Sequence, residues 1–473
     1  MLYVQQQGYA TGGIYRIDAG IQVDDETCIA RPVAVLSLKP ADQLERESPV
    51  DGASEHLVWS RNTFERARRM WASLPPHPNI IRALEASRHQ GVPNLILEFV
   101  FGPSLTNLRE RVSTFTAMQV LVHGARALAF LHADVGVVHG DLNTNALMFD
   151  GDGHVKLGML GHCHSPPSLR SDAPEWQRQP HPNQGGAWPI PPEIHDGDEW
   201  SAASDVWALA CCIVQILAGK PGEKGHAFDP LACLGALGLP NADPSSQALL
   251  FLLTNMLRPD PKDRTQNGMK LGVALRDHAA DDLARLRRRE EILGKMRWNH
   301  PGLEELTEIE RELAEIERWT CPAWMPYASR FALGSAALHT GPGRASATRA
   351  LEYAREAMRL HPHEPRLDLL FDDAYQALVE TGGSGTTVLG AGRGEILADR
   401  LEHLLVSLDS FNTYTTQERV RAVMGELANL GDRAGAEHPH RDLLHRARRL
   451  LDSIENHAAH ELRALHDQLM DRW

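Results

Sequence analysis

The chain has 473 residues, with Lys+Arg 48 against Asp+Glu 62 and a formal net charge of -14. Its hydrophobic fraction of 42% and charged fraction of 23% are those of a globular protein, with length enough for two or three domains. The acidic balance gives no support to a nucleic-acid partner, and the longest mostly apolar run, Val206 to Ala218, falls short of the ~20 residues that span a bilayer.

Met1 to Ala10 is polar and uncharged, so no signal peptide is read there and a cytoplasmic location is expected. Cysteines are too few for a disulfide framework. Cys211 and Cys212 lie in the apolar run and are expected to be packing residues. His162, Cys163 and His164 cluster on a predicted loop without a fourth ligand or a metal-binding spacing, so no metal site is expected.

In chain order, residues 1 to about 100 read as a small strand-rich lobe with one helix. Val33 to Leu38 alternates as a strand does. Phe64, Ala67, Met70, Trp71 and Leu74 recur at helical spacing, and His77-Pro78-Asn79 ends that helix. Asn94 to Val100 is a further strand, followed by a Gly102-Pro103 turn. Residues 101–278 read as a helical lobe, with a helix over Ala117 to Ala133 and a Pro/Gly/Ser/His-rich stretch from 162 to 192.

Residues 279–320 read as a helical hairpin. Leu283, Leu286, Ile292 and Met296 mark its first helix; Asn299 and Pro301 start the second, with Leu306, Ile309, Leu313 and Ile316 on one face. Residues 321–473 read as an all-helical region with a Gly/Thr-rich linker at 382–394 and a final helix of roughly thirty residues. Within it, Leu333-Gly334 and the set Ala350, Leu351, Tyr353, Ala357, Leu360 and Pro362 resemble one tetratricopeptide repeat; an ordinary amphipathic hairpin explains them equally well. Either way the tail offers helix surfaces to a protein partner.

The segment His139-Gly140-Asp141, then Ala146, then a hairpin, then Met159-Leu160-Gly161, resembles the catalytic loop and magnesium loop of protein kinases. Pro192-Glu193, Ser204-Asp205-Val206-Trp207 and Arg264 resemble three further landmarks of the second lobe, correctly ordered. The resemblance is to the bacterial Ser/Thr group and covers most of residues 8–270. It implies a bilobal α+β kinase-like fold followed by an all-α domain. It also implies a buried Glu193–Arg264 ion pair, an Asp205 that accepts from the catalytic-loop backbone, and a His139 packed beneath that loop.

The same resemblance shows the chemistry degraded. The phosphate-binding Lys falls on Leu36. Lys39 lies three residues on, on the opposite strand face. The helix Glu falls on Ala67, and Glu65 is about 200° round the helix from it. The magnesium Asn and Asp fall on Ala146 and Met159, neither of which supplies a hard oxygen ligand. Asn145 is expected to point elsewhere, and Asp150 and Asp152 to sit exposed in the hairpin turn. Gly140 replaces the Arg that would anchor a phosphorylated loop. Gly186 replaces a Thr, while Ser165, Ser168 and Ser171 remain as exposed serines.

Asp141 stays as a vestigial or residual base. Gly12, Ile14, Ala34, Leu97, Phe99 and Met148 fall at positions that cover a purine. They make a nucleoside-sized pocket or, as the favoured reading has it, simply pack the cleft. The expectation is a catalytically impaired pseudokinase acting as a scaffold or allosteric regulator, with a protein partner on the helical tail and no membrane span. Two alternatives stay open: an active atypical Ser/Thr kinase using Asp141, and a nucleotide sensor that binds ATP without magnesium.

Overall fold

A computed structural model describes residues 2–12, 14–23, 30–47, 53–89, 92–100, 102–108, 110–150, 153–165, 190–220, 228–239, 243–298, 301–317, 327–341, 343–360, 366–381, 393–410, 414–431 and 440–452. Gly186, Ser168, Ser171, Asp152 and the 382–392 stretch therefore lie outside the described residues, as does most of the expected final helix. The chain divides into two compact units: Met1–Glu291 with Glu315–Met325, and Ile292–Ala314 with Pro326–Trp473.

The first unit begins with an antiparallel sheet in the order β1-β2-β3-β5-β4. Its strands are β1 (Leu2–Gly12), β2 (Tyr15–Val23), β3 (Ala30–Leu38), β4 (Ala83–His89) and β5 (Val92–Glu98). The period-2 pattern of β3 divides its side chains. Val33 and Val35 pack with Ile96 in a small cluster of their own, while Leu36 joins the main core. Helices α1 (Ala41–Glu47) and α2 (Ala53–Ser73) connect β3 to β4. Phe64, Ala67, Met70 and Trp71 make the buried stripe of α2, and the Trp71 indole N–H donates to the Ile81 carbonyl at 2.6 Å.

The second lobe is built on α3 (Thr114–Ala129), started by Ser113, whose hydroxyl accepts from Thr116 N. A six-residue wide turn, Phe130–Val135, ends the helix at Gly136 in the left-handed region, φ 75. The short hairpin β6 (Leu147–Phe149) and β7 (Val155–Leu157) follows. After α4 (Pro192–His195), helix α5 (Ala202–Ala218) opens with a reciprocal Ser201/Ser204 capping box. Cys211 and Cys212 are buried on it, so the apolar run is core. Helices α6 (Pro230–Ala236), α7 (Pro244–Met256) and α8 (Gly268–His278) complete this lobe.

The first part of helix α9 (Ala280–Trp298), through Glu291, extends the unit, with Leu283 and Leu286 in the same core. Its Arg289 is tied to Glu317, at the end of α10 (Leu303–Glu317), by a buried 2.7 Å ion pair. A second link runs through His123 of α3. Its Nδ1 accepts from Val155 N of the hairpin at 2.9 Å, so its proton lies on Nε2, which donates to Glu290 at 3.0 Å.

The second unit is helical: α11 (Tyr327–His339), α12 (Arg344–Leu360), α13 (Arg366–Glu380), α14 (Arg393–Ser410), α15 (Tyr414–Gly431) and a helix over residues 441–452. Ala350, Leu351, Tyr353, Ala354 and Ala357 are buried along α12. Gly334 of α11 permits close packing, since a Cβ there would lie 2.9 Å from Leu370 and 3.3 Å from Tyr353. A separate core joins Leu401 and Leu404 of α14 to Val420 and Leu427 of α15 and to Ala447 and Leu451.

Candidate functional site

Asp205, fully buried at the start of α5, organises the loop 139–146. Its carboxylate accepts from His139 N at 2.7 Å, Gly140 N at 3.0 Å and His132 Nε2 at 2.9 Å. His132 Nδ1 accepts from Gly268 N, which leaves its Nε2–H for Asp205. Burial pushes the Asp205 carboxyl up, but the hydrogen bond and charge of His132 outweigh it and the carboxyl sits below its ordinary value. His139 is fixed likewise: Nδ1 accepts from Asp141 N at 3.3 Å and Nε2 donates to the Gly158 carbonyl at 3.0 Å. Burial holds its imidazole below the usual range, so it is neutral.

Gly140 sits at φ 76, and a Cβ there would meet the His162 carbonyl at 3.0 Å. Only glycine takes that conformation without strain. The Glu193 carboxylate and Arg264 guanidinium form two parallel bonds of 2.6 Å, both side chains almost wholly buried. Ser204 adds a 2.8 Å bond to Glu193, and Arg264 donates to the Pro259 carbonyl at 2.7 Å.

Between the two lobes of this unit lies a cavity of about 560 Å³. Ala34, Leu97, Phe99 and Met148 line it; Ile14, 4% exposed, and Gly12, which pairs with Tyr15 across the β1–β2 turn, are outside the lining. Leu36 also lines it and is opposite Leu95 in the β3–β5 register. Lys39 does not: it is buried among Pro40, Leu44, Phe64 and Glu65, in a separate pocket. Glu65 pairs with Arg68 at 2.9 Å. No cation therefore reaches the cavity from β3.

At the far end of the cavity, Ala146 is fully buried and Met159 lies in the left-handed region at φ 56, ψ 38. Met159 is the one non-glycine residue there among the described residues. Side chains with a Cβ pay for this backbone, β-branched ones most. Met159→Val is therefore expected to cost about 2 kcal/mol more than Met159→Asn, although valine keeps the apolar character. Urea unfolding of the two variants measures this, and equal costs would show that burial, not backbone, sets the position.

Magnesium does not fit this donor set, because a methyl and a thioether stand where hard oxygens are required. Asn145, expected to point away, lines the cavity instead, but one amide oxygen makes no magnesium site. Among the described residues, no group of His, Cys, Asp or Glu is placed to hold a metal ion.

Tyr15, unassigned from sequence, dominates the same end. It is 6% exposed, packs against Phe64 and His162, and lies so close over Gly161 that a Cβ at 161 would overlap its hydroxyl. That hydroxyl is buried with no hydrogen-bond partner among the described residues, and burial pushes its pKa well up. The signal in the sequence is an aromatic residue directly after Ile14.

Asp141 is 33% exposed along its side chain, with His162 at 3.9 Å. Burial raises its carboxyl to about 7, helped by the Asp205 charge and opposed by Asn143. Two other sequence expectations are corrected. Asp150 is 8% exposed, because it caps its own turn: it accepts from His154 N at 2.7 Å. Ser165 is 1% exposed, directly after the Val138–His164 bridge, and is no surface serine.

Comparison with known proteins agrees with this geometry. Residues 53–271 match the family described as protein kinase domain. The chain is 25% identical over 257 residues to mitogen-activated protein kinase kinase kinase 3 of Arabidopsis thaliana, which covers 53% of the chain and 35% of that relative. It is 26% identical over 196 residues to mitogen-activated protein kinase kinase kinase A of Dictyostelium discoideum, 40% of the chain and 20% of the relative. Serine/threonine-protein kinase CST20 of Candida albicans is 29% identical over 148 residues, 31% of the chain and 11% of the relative. The chain thus matches only a minor part of these relatives' length. No described helix is long and apolar enough to cross a membrane.

Proposed function

The chain belongs to the protein kinase superfamily, and we propose that its kinase-like unit is a pseudokinase. It serves as a scaffold or allosteric partner in signalling, and the helical C-terminal region contacts another protein. The observation that carries this reading is the pairing of buried Ala146 with Met159 at the metal end of the cleft. Phosphoryl transfer depends on charge neutralisation more than on any covalent work by the protein. Leu36 at the lysine position leaves the cleft without that charge, and Asp141 could orient a hydroxyl but not stabilise a transferring phosphoryl. Buried free thiols at Cys163, Cys211 and Cys212 suit a reducing, cytoplasmic setting.

A second reading has a specific observation behind it. The cleft is open, with a mainly apolar lining that also holds Glu98, Asn107 and Asn145, and one buried hydroxyl, on Tyr15, that lacks an acceptor. A neutral, nucleoside-sized ligand carrying an acceptor would satisfy it without metal, while a triphosphate would meet the Tyr15 ring. Thermal unfolding with adenosine, with ATP, and with ATP plus magnesium tests both readings, because ligand binding stabilises by mass action. The scaffold reading expects no shift from any of them. A shift with adenosine alone supports the second reading, and a shift that needs ATP and magnesium together contradicts the pseudokinase assignment.

A further inference from the structure

The face formed by α3, α8 and the start of α9 holds a groove of about 510 Å³ that shares no lining residue with the cleft. Val122, Ala125 and Leu283 line it, together with Met269 and Val273, one turn apart on α8. Met269 is 59% exposed and Val273 is 44% exposed. Two large apolar side chains at i and i+4 facing water along a concave strip are the pattern of a binding surface.

The polar lining has one sign. Its charged residues are Arg126, Lys270, Arg276 and Arg287, with no acidic side chain among them. Arg126 is already paired with Glu290 at 2.8 Å. The other three are exposed and make no ion pair among the described residues. In a chain with Asp+Glu 62 against Lys+Arg 48, an all-basic rim around an apolar strip runs against the composition.

We propose that this groove docks an acidic amphipathic helix of a partner protein. Apolar residues at i, i+3, i+4 and i+7 of that helix would seat against Met269, Val273 and the α3 side chains. Asp or Glu on either side of the stripe would face Lys270, Arg276 and Arg287. The concave form favours a helix over an anionic membrane, which is contacted by apolar groups that protrude.

The test is fluorescence anisotropy on the full chain with a labelled peptide of about fourteen residues, leucine at those four spacings and glutamate elsewhere. The comparison probe carries lysine for glutamate. Expected is saturable binding of the acidic peptide, about tenfold or more tighter than the basic one and weakened by added salt. The triple variant Lys270→Glu/Arg276→Glu/Arg287→Glu changes exposed residues only, so it is expected to keep its thermal midpoint while losing about tenfold in affinity. Met269→Glu, independently, is expected to weaken binding as well. Equal binding of the two peptides, unchanged binding by the triple variant, or binding of vesicles rich in anionic lipid in place of the peptide overturns the proposal.

Discussion

Arg264→Met is expected to remove about 3–5 kcal/mol from the unfolding free energy of the kinase-like unit. The pair is sealed: Arg264 and Glu193 are almost wholly buried and bonded twice at 2.6 Å. Removing the guanidinium leaves the carboxylate in low dielectric with only the Ser204 hydroxyl. The size of the loss comes from that stranded charge and not from the worth of the pair, so Glu193→Leu combined with Arg264→Met is expected to cost less than the two single changes summed. Urea unfolding of the two single variants and the double variant measures this. Single losses under about 1 kcal/mol would show that the carboxylate finds water or another partner.

The second large effect is a pH dependence centred on His123. Burial holds its imidazole at about 4, against the pull of Glu290. The unfolded chain has an ordinary imidazole near 6.5, so below that pH it binds a proton that the folded chain refuses. Stability is therefore full above about 6.5 and is lost as pH falls toward 4, by roughly 3 kcal/mol in all. Glu290 acts lower down. Burial raises it, but hydrogen bonds from His123 and Arg126 hold it at about 2, so its contribution persists until pH falls below the ordinary carboxylate range. Asp141, raised to about 7, works in the opposite sense and gains stability as pH falls. The readout is thus the difference between the parent chain and His123→Gln, in which Asp141 cancels. Between pH 7 and 5 the unfolding free energy of the parent chain is expected to fall by about 2 kcal/mol relative to that of the variant, and parallel profiles would contradict the assignment.

The two effects also mark what was legible in the sequence. Glu193, Asp205 and Arg264 could be placed in advance because each sits in a short pattern whose order along the chain is distinctive. The losses at Leu36, Ala146 and Met159 followed once the frame was set, since strand and loop spacing admit no slide. His123 and Glu290 could not be paired, because they are 167 residues apart and neither stands in a motif. Tyr15 stands in no motif, and only the fold brings β2 onto Gly161. Asp150 differs from expectation because a turn aspartate bonding to the backbone of its own turn reads, from sequence, like any exposed turn residue. Ala34, Leu97, Phe99 and Met148 line one cavity, while Gly12 and Ile14, grouped with them from sequence, do not.

The kinase-like unit therefore keeps what shapes its catalytic loop: Asp205 on two backbone amides, His139 on Gly158, and Glu193 on Arg264. Among the described residues, Leu36, Ala146 and Met159 stand at the positions on which the proposed loss of phosphate handling rests. The most direct test is phosphotransfer from radiolabelled ATP with magnesium, to the chain itself and to a generic protein substrate, with Asp141→Asn as the control. No label above the Asp141→Asn background is the predicted result. Label on the parent chain that disappears in Asp141→Asn would contradict the account and make this chain an active kinase.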